Sequence, residues 1–154
     1  MSYFKLQHAP RLLLVLVPVV WMGCGDKSGV GLTYPVRGKV TLNGQPLSAE
    51  SAIVLFKPDT SKGNTSPFEP TGVVDKDGNY AVKTQGKRGA PPGWYKVIVT
   101  ATDSVVEPAK DPKKGHPHPR SLVPGKYGLA KTTDLVVEVV EDPLPGAFDL
   151  KLKK

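Results

Sequence analysis

Hydrophobic and polar residues alternate along short stretches of this chain, and the alternation predicts β-strands. The clearest stretch covers residues 93–101. Its alternate positions hold Tyr95, Val97, Val99 and Ala101. Successive side chains of a strand point to opposite faces, so these four residues would share one face. We therefore expect this strand to lie at the centre of the fold.

Six further segments have the composition of strands. They cover residues 35–42, 52–56, 71–74, 79–84, 135–140 and 148–152. Turn signals such as Asn43-Gly44 and Asp77-Gly78 separate them. Seven short strands with apolar faces predict an all-β chain, folded as a seven-stranded, antiparallel or mixed two-sheet sandwich, because each sheet must cover the other.

Three local features add detail to this sandwich. Gly38 falls on the apolar face of its strand, which predicts a bulge or a close approach of another backbone. Segment 52–56 is apolar at every position, as expected of a strand covered on both faces. Residues 103–133 are rich in proline and lysine, and we expect a long irregular connection that is either functional or mobile.

Composition sets limits on the class of protein. The 154 residues have room for one domain, and sixteen Gly and sixteen Pro without a period favour many turns over a helical bundle. The net charge of +7 would suit an acidic partner. The basic residues are dispersed, however, and form neither a basic helix nor an aromatic-basic RNA motif. We therefore expect no nucleic-acid partner.

The first 23 residues resemble an export signal. Lys5 and Arg11 precede an apolar run over residues 12–22, which is too short to span a bilayer. Gly23-Cys24 then resembles the lipobox of bacterial lipoproteins, in which the cysteine is acylated. We predict a lipid anchor at Cys24 that holds the exported chain at the cell envelope. The alternative is an ordinary signal peptide that leaves Cys24 as an incidental thiol.

Within the mature chain, the sequence divides into two parts. Residues 24–33 are polar and glycine-rich and predict a flexible tether. Residues 34–154 form the predicted domain.

Several motifs of this domain resemble the carboxypeptidase regulatory-like domains, which are also called transthyretin- or prealbumin-like. The motifs are Val36-Arg37-Gly38-Lys39-Val40, Leu42-Asn43-Gly44-Gln45-Pro46-Leu47, Asp77-Gly78-Asn79-Tyr80 and Pro91-Pro92-Gly93-Trp94-Tyr95-Lys96-Val97. The segment 123–128 resembles a subgroup of small planctomycete-type lipoproteins. The resemblance implies a prealbumin-like sandwich over residues 34–154, and fold alone does not fix an activity.

Catalytic and metal sites have few candidate residues. Some transthyretin-like proteins hydrolyse 5-hydroxyisourate with histidines, an arginine and a C-terminal Tyr-Arg-Gly-Ser, but this chain lacks that tail. His116 and His118 form a His-Pro-His without an evident third ligand. Residues 75–79 begin like a calcium loop, yet Gly86 stands where the loop needs a glutamate, and a hairpin turn explains the segment. We expect no enzyme activity, metal or cofactor, and a hydrolase is the least favoured alternative.

Trp94 is the most suggestive single residue, because it should point away from Tyr95 and lie beside Lys96. An exposed tryptophan near a cation suits a sugar or protein contact, whereas the alternative places its ring under the long connection. We predict a non-enzymatic, lipid-anchored envelope domain with a structural or interaction role. A carbohydrate-binding module is the alternative, and it requires an exposed aromatic strip of Trp94 with Tyr127 or Tyr34.

Overall fold

The structure is a computed structural model that describes residues 28–107 and 118–154. These residues form strands and two short 3-10 helices, Thr60–Lys62 and Gly125–Gly128. In chain order the strands are β1 (Arg37–Leu42), β2 (Gln45–Pro46), β3 (Ser51–Pro58), β4 (Thr71–Val73), β5 (Asn79–Ala81), β6 (Lys83–Thr84), β7 (Lys87–Arg88), β8 (Gly93–Glu107), β9 (His118–Ser121), β10 (Val136–Val139) and β11 (Leu150–Leu152). The prediction of an all-β chain is therefore confirmed.

Two sheets make up the sandwich. The larger, seven-stranded sheet has the order β10-β8-β3-β4-β6-β7, and β9 also pairs with β8. The smaller, four-stranded sheet has the order β11-β1-β2, and β5 pairs with β1. The pair β1–β11 is parallel, while the other strand pairs of the described residues are antiparallel. The predicted mixed two-sheet sandwich is confirmed. The described residues form eleven strands where seven were predicted, because segment 79–84 is divided into β5 and β6 and the short strands β2, β7 and β9 lie in segments that were predicted to be turns or loops.

The core lies between the two sheets, and β8 is its central strand. Tyr95, Val97, Val99 and Ala101 are all buried, as their alternation predicts. They belong to one hydrophobic cluster with inward-facing residues of the neighbouring strands and of the smaller sheet, among them Val54, Phe56, Val40, Leu150 and Leu152. The apolar faces of both sheets are thus buried against each other, which is the principal stabilisation of a chain without an internal disulfide.

Gly38 marks a close approach of backbones in the smaller sheet. A Cβ atom at this position would lie 2.2 Å from the carbonyl oxygen of Phe148. The same carbonyl oxygen accepts a buried hydrogen bond of 2.6 Å from the Tyr80 hydroxyl. The predicted close approach at Gly38 is confirmed, because only a residue without a side chain fits between these groups.

The acidic segment that begins at Asp75 is a turn, as predicted. The Asp75 carboxylate accepts hydrogen bonds from the backbone N–H groups of Asp77 and Asn79, at 2.9 Å and 2.8 Å. The bond from Asn79 is the main reason why the pKa of Asp75 is lowered. The carboxylate therefore organises the turn itself.

Two expectations about strands are wrong. Segment 52–56 is covered on one face only, because Ile53 is 42% exposed and Leu55 is half-buried. Part of the segment 103–133 is regular, since β8 continues to Glu107 and pairs with β9. Proline is tolerated in β9 because, in the part of the chain that the structure describes, this strand pairs on one side only.

Candidate functional site

Trp94 lies on the outer face of the larger sheet, opposite to the core face of β8, and it is half-buried. The ammonium group of Lys62 lies 3.6 Å from the centroid of its ring. This cation–π contact comes from the 3-10 helix Thr60–Lys62, whereas sequence reasoning expected the neighbouring Lys96. Lys62 is 32 positions away in the chain, so only the fold brings the two residues together.

The loop that carries Lys62 is attached to the backbone of β8. The carbonyl oxygen of Trp94 accepts hydrogen bonds from the Asn64 side-chain amide at 2.8 Å and from the Asp59 N–H at 2.9 Å. Asp59 in turn caps the 3-10 helix by accepting from the Ser61 hydroxyl at 2.6 Å and from the Ser61 N–H at 3.1 Å. The hydroxyl bond is the main reason why the pKa of the Asp59 carboxyl is lowered. The loop is therefore held in place beside the tryptophan.

A hollow of about 460 Å³ opens next to Trp94. Pro91 and Pro92 line one part of it, and Val30 and Leu32 of the predicted tether line another. Val30 is buried, and the Thr33 hydroxyl donates to the carbonyl oxygen of Arg88 at 3.0 Å. Residues 28–33 thus lie against the domain, and they help to form a mixed apolar and polar surface around the tryptophan.

Tyr127 is buried, and the prediction of a surface contact at this residue is wrong. Its hydroxyl accepts a hydrogen bond of 2.8 Å from the N–H of Lys153, and its ring belongs to the hydrophobic core. The 3-10 helix Gly125–Gly128 directs the ring inward, and Lys126 places its ammonium group 4.6 Å from the ring centroid. An exposed aromatic strip that includes Tyr127 is therefore absent.

The second predicted member of that strip, Tyr34, is half-buried. It packs against the hydrophobic core, and its hydroxyl lies 3.5 Å from a carboxylate oxygen of Glu141. The ring of Tyr34 is therefore mainly a packing contact of the domain and is only partly accessible at the surface.

The outer face of the larger sheet carries aliphatic side chains in its centre. Ile53 lies opposite Val73 on β4, and Leu55 lies opposite Ile98 on β8. Val73 is 73% exposed and Ile53 is 42% exposed. These four residues are neighbours on one face of the sheet, where Thr71 and Thr100 lie opposite Leu55 and Ile53. We call the four residues the outer apolar face. Sequence reasoning missed it because segment 52–56 was interpreted as buried on both sides.

The remaining predicted site residues lie mostly outside the described part of the chain. Cys24 and His116 fall in the ranges 1–27 and 108–117, and His118 is the first residue of β9. Within residues 28–107 and 118–154, no group of three His, Cys, Asp or Glu side chains is arranged to hold a metal ion. The same residues contain no helix with the length and hydropathy needed to span a membrane.

Comparisons with protein-family models, with curated proteins and with solved structures found no match. The resemblance to carboxypeptidase regulatory-like domains therefore stays a prediction from the sequence motifs. The all-β sandwich itself rests on the structure.

Proposed function

We propose that this chain is a non-enzymatic interaction domain of the cell envelope, held at the membrane by a lipid on Cys24, and that it binds another protein. The observation that carries the proposal is the outer apolar face. Two of its residues, Ile53 and Val73, are exposed, and clusters of exposed apolar side chains commonly mark protein–protein contacts. Here the surface lies on three paired strands of the larger sheet, β3, β4 and β8.

The surroundings of the outer apolar face also suit a protein partner. Ser51 and Thr102 lie opposite each other at one end, and Lys57 and Lys96 lie opposite each other towards the other end. An apolar centre with a polar border is the usual arrangement of a protein interface. The aliphatic side chains offer no aromatic platform for a sugar ring.

Of the predicted aromatic contacts, Tyr127 is buried and Tyr34 packs against the hydrophobic core, so the carbohydrate-binding alternative depends mainly on Trp94. Lys62 already lies over the tryptophan ring. A glycan array with the wild-type chain and a Trp94→Ala variant tests this alternative directly. A glycan signal that disappears in the variant would favour the carbohydrate-binding module over the protein partner.

Site-specific photo-crosslinking in the native host tests the protein partner. We expect a photoreactive phenylalanine analogue at position 73 to crosslink the full chain to a protein of different mass. Position 144 is the matched control, because Leu144 is another strongly exposed aliphatic residue and lies in a turn outside the outer apolar face. Equal crosslinking from both positions, or a product of twice the chain's own mass, would contradict the proposal.

Mass spectrometry of the mature N-terminus tests the anchor separately. We expect an acylated Cys24 and recovery of the chain in the membrane fraction, because two or more acyl chains give stable membrane attachment. Cys24→Ser should abolish acylation. Recovery of the protein from the medium with an unacylated cysteine would refute the anchor. The crosslinking result would still stand, because it does not depend on the anchor.

A further inference from the structure

Three cationic side chains line one hollow at the junction of the two sheets. Arg37 comes from β1, Lys83 from β6 and Arg88 from β7. The hollow has a volume of about 340 Å³, and no acidic residue lines it. Its other lining residues are Pro35, Val36, Ala81, Val82 and Gly89. We call this site the cationic hollow.

These three cations have no counterion within the described residues. Two ion pairs between described residues join Lys57 to Glu69 and Lys126 to Asp134, and neither involves these cations. Like charges that share one hollow raise the local positive potential, and a bound anion would lower their mutual repulsion. The site therefore favours an anionic ligand over a neutral one.

Strand pairing fixes the positions from which the cations extend. Lys83 lies directly opposite Arg88, and Arg37 lies opposite Ala81 two residues before Lys83. These side chains thus start from adjacent strands instead of a mobile loop. A bound anion would meet cations whose backbone is already ordered, which reduces the entropy lost on binding.

Gly89 secures the strand that carries Arg88. Its φ is +91°, and a Cβ atom there would lie 2.1 Å from the carbonyl oxygen of Tyr34. The carbonyl oxygen of Gly89 accepts a buried hydrogen bond of 2.7 Å from the Thr84 hydroxyl. β7 is therefore held between β6 and the segment before β1, next to the hollow.

The chemistry of the side chains identifies the ligand class. The planar guanidinium groups of Arg37 and Arg88 suit bidentate hydrogen bonds to phosphate oxygens, and Lys83 adds a point charge. Val36 and Val82 also line the hollow, and both are buried. We propose that the cationic hollow binds a phosphate group, carried by a free phosphate ester or by a lipid headgroup. This site is separate from the outer apolar face and does not depend on the anchor.

Calorimetric titration of the full chain in detergent micelles tests the proposal. The probes are inorganic phosphate and a short-chain phosphatidylglycerol below its micelle concentration. We expect phosphate to bind and an Arg37→Gln/Arg88→Gln variant to bind about tenfold more weakly or worse, because it loses two charge-assisted contacts. Tighter binding of phosphatidylglycerol than of phosphate would assign the site to a lipid headgroup, and the reverse order would assign it to a free phosphate ester.

A Lys76→Gln/Lys151→Gln variant is the matched control. Like the arginine variant, it removes two positive charges, but from exposed positions outside the hollow. We expect it to bind phosphate as the wild-type chain does. If the arginine variant fails to fold by circular dichroism, Lys83→Gln is titrated in its place and should also weaken binding. Absence of phosphate binding to the wild-type chain, or equal weakening in the hollow and control variants, overturns the proposal.

Discussion

Substitution of Gly38 by alanine should destabilise the domain strongly. The added Cβ would lie 2.2 Å from the carbonyl oxygen of Phe148, and contacts below 3.0 Å are essentially never found for real Cβ atoms. The two backbones must therefore separate by at least about 0.8 Å, as the difference between these distances gives. The Tyr80 ring, whose nearest carbon would lie 3.1 Å from the new methyl group, cannot shift freely because it is buried.

The size of the effect follows from two contributions. Forcing an extra methyl group into a packed site costs about 1–3 kcal/mol. Moving the Phe148 carbonyl also weakens its 2.6 Å hydrogen bond from Tyr80, which contributes about 1 kcal/mol. We expect the free energy of unfolding to fall by about 2–4 kcal/mol, a large part of the 5–15 kcal/mol typical of a domain.

Urea unfolding followed by circular dichroism measures this change. Gly128→Ala is the matched control, because a Cβ atom there meets nothing within 4 Å. We expect the control to change the free energy of unfolding by less than about 1 kcal/mol, in either direction. A Gly38→Ala variant as stable as the control would refute the close packing of the two backbones.

Three further predictions concern single side chains. Tyr80→Phe leaves the buried Phe148 carbonyl without its donor, and we expect a loss of about 1–3 kcal/mol in urea unfolding. The pKa of Asp75 is lowered in the folded state, mainly by the bond from the Asn79 N–H, so its stabilisation is present above about pH 4 and is lost as pH falls through the folded value. Asp75→Asn should make the urea midpoint less sensitive to acid. Lys62→Gln removes the cation from the tryptophan ring, and a loss of about 0.5–1 kcal/mol should follow by the same assay.

The sandwich could be predicted from the sequence because its strongest signal is local. The alternation in β8 predicted which residues between Tyr95 and Ala101 are buried. The glycine at position 38, on the apolar face of its strand, predicted the close approach of another backbone to β1. Segment 52–56 misled the prediction, because an apolar run looks alike whether its second face is covered by protein or left open. Proline and lysine in residues 103–133 masked β9, since an edge strand needs hydrogen bonds on one side only.

The candidate sites were harder to predict, because they depend on which strands become neighbours. Trp94 and Lys62 meet through a loop that returns to β8, and Tyr127 turns inward on a 3-10 helix too short to show a period. The cations at positions 37, 83 and 88 look like dispersed surface charge until the pairing of β1 with β5 and of β6 with β7 joins them. A short alternation shows which side chains of a strand share a face, but it does not show which strands become neighbours.

The exposed aliphatic side chains of the outer apolar face raise the risk of aggregation, and the fold itself does not require them. The inner face of β3 already supplies Ala52, Val54 and Phe56 to the core, so the strand needs no further apolar residue to be held in the sheet. Threonine or charged residues at positions 53 and 73 would keep strand geometry and reduce the risk of aggregation. Aliphatic residues at those positions therefore support the proposed contact with a partner protein. The same argument applies to the cationic hollow. Its three positive charges repel one another, and this repulsion would be smaller if the charges were spread over the surface.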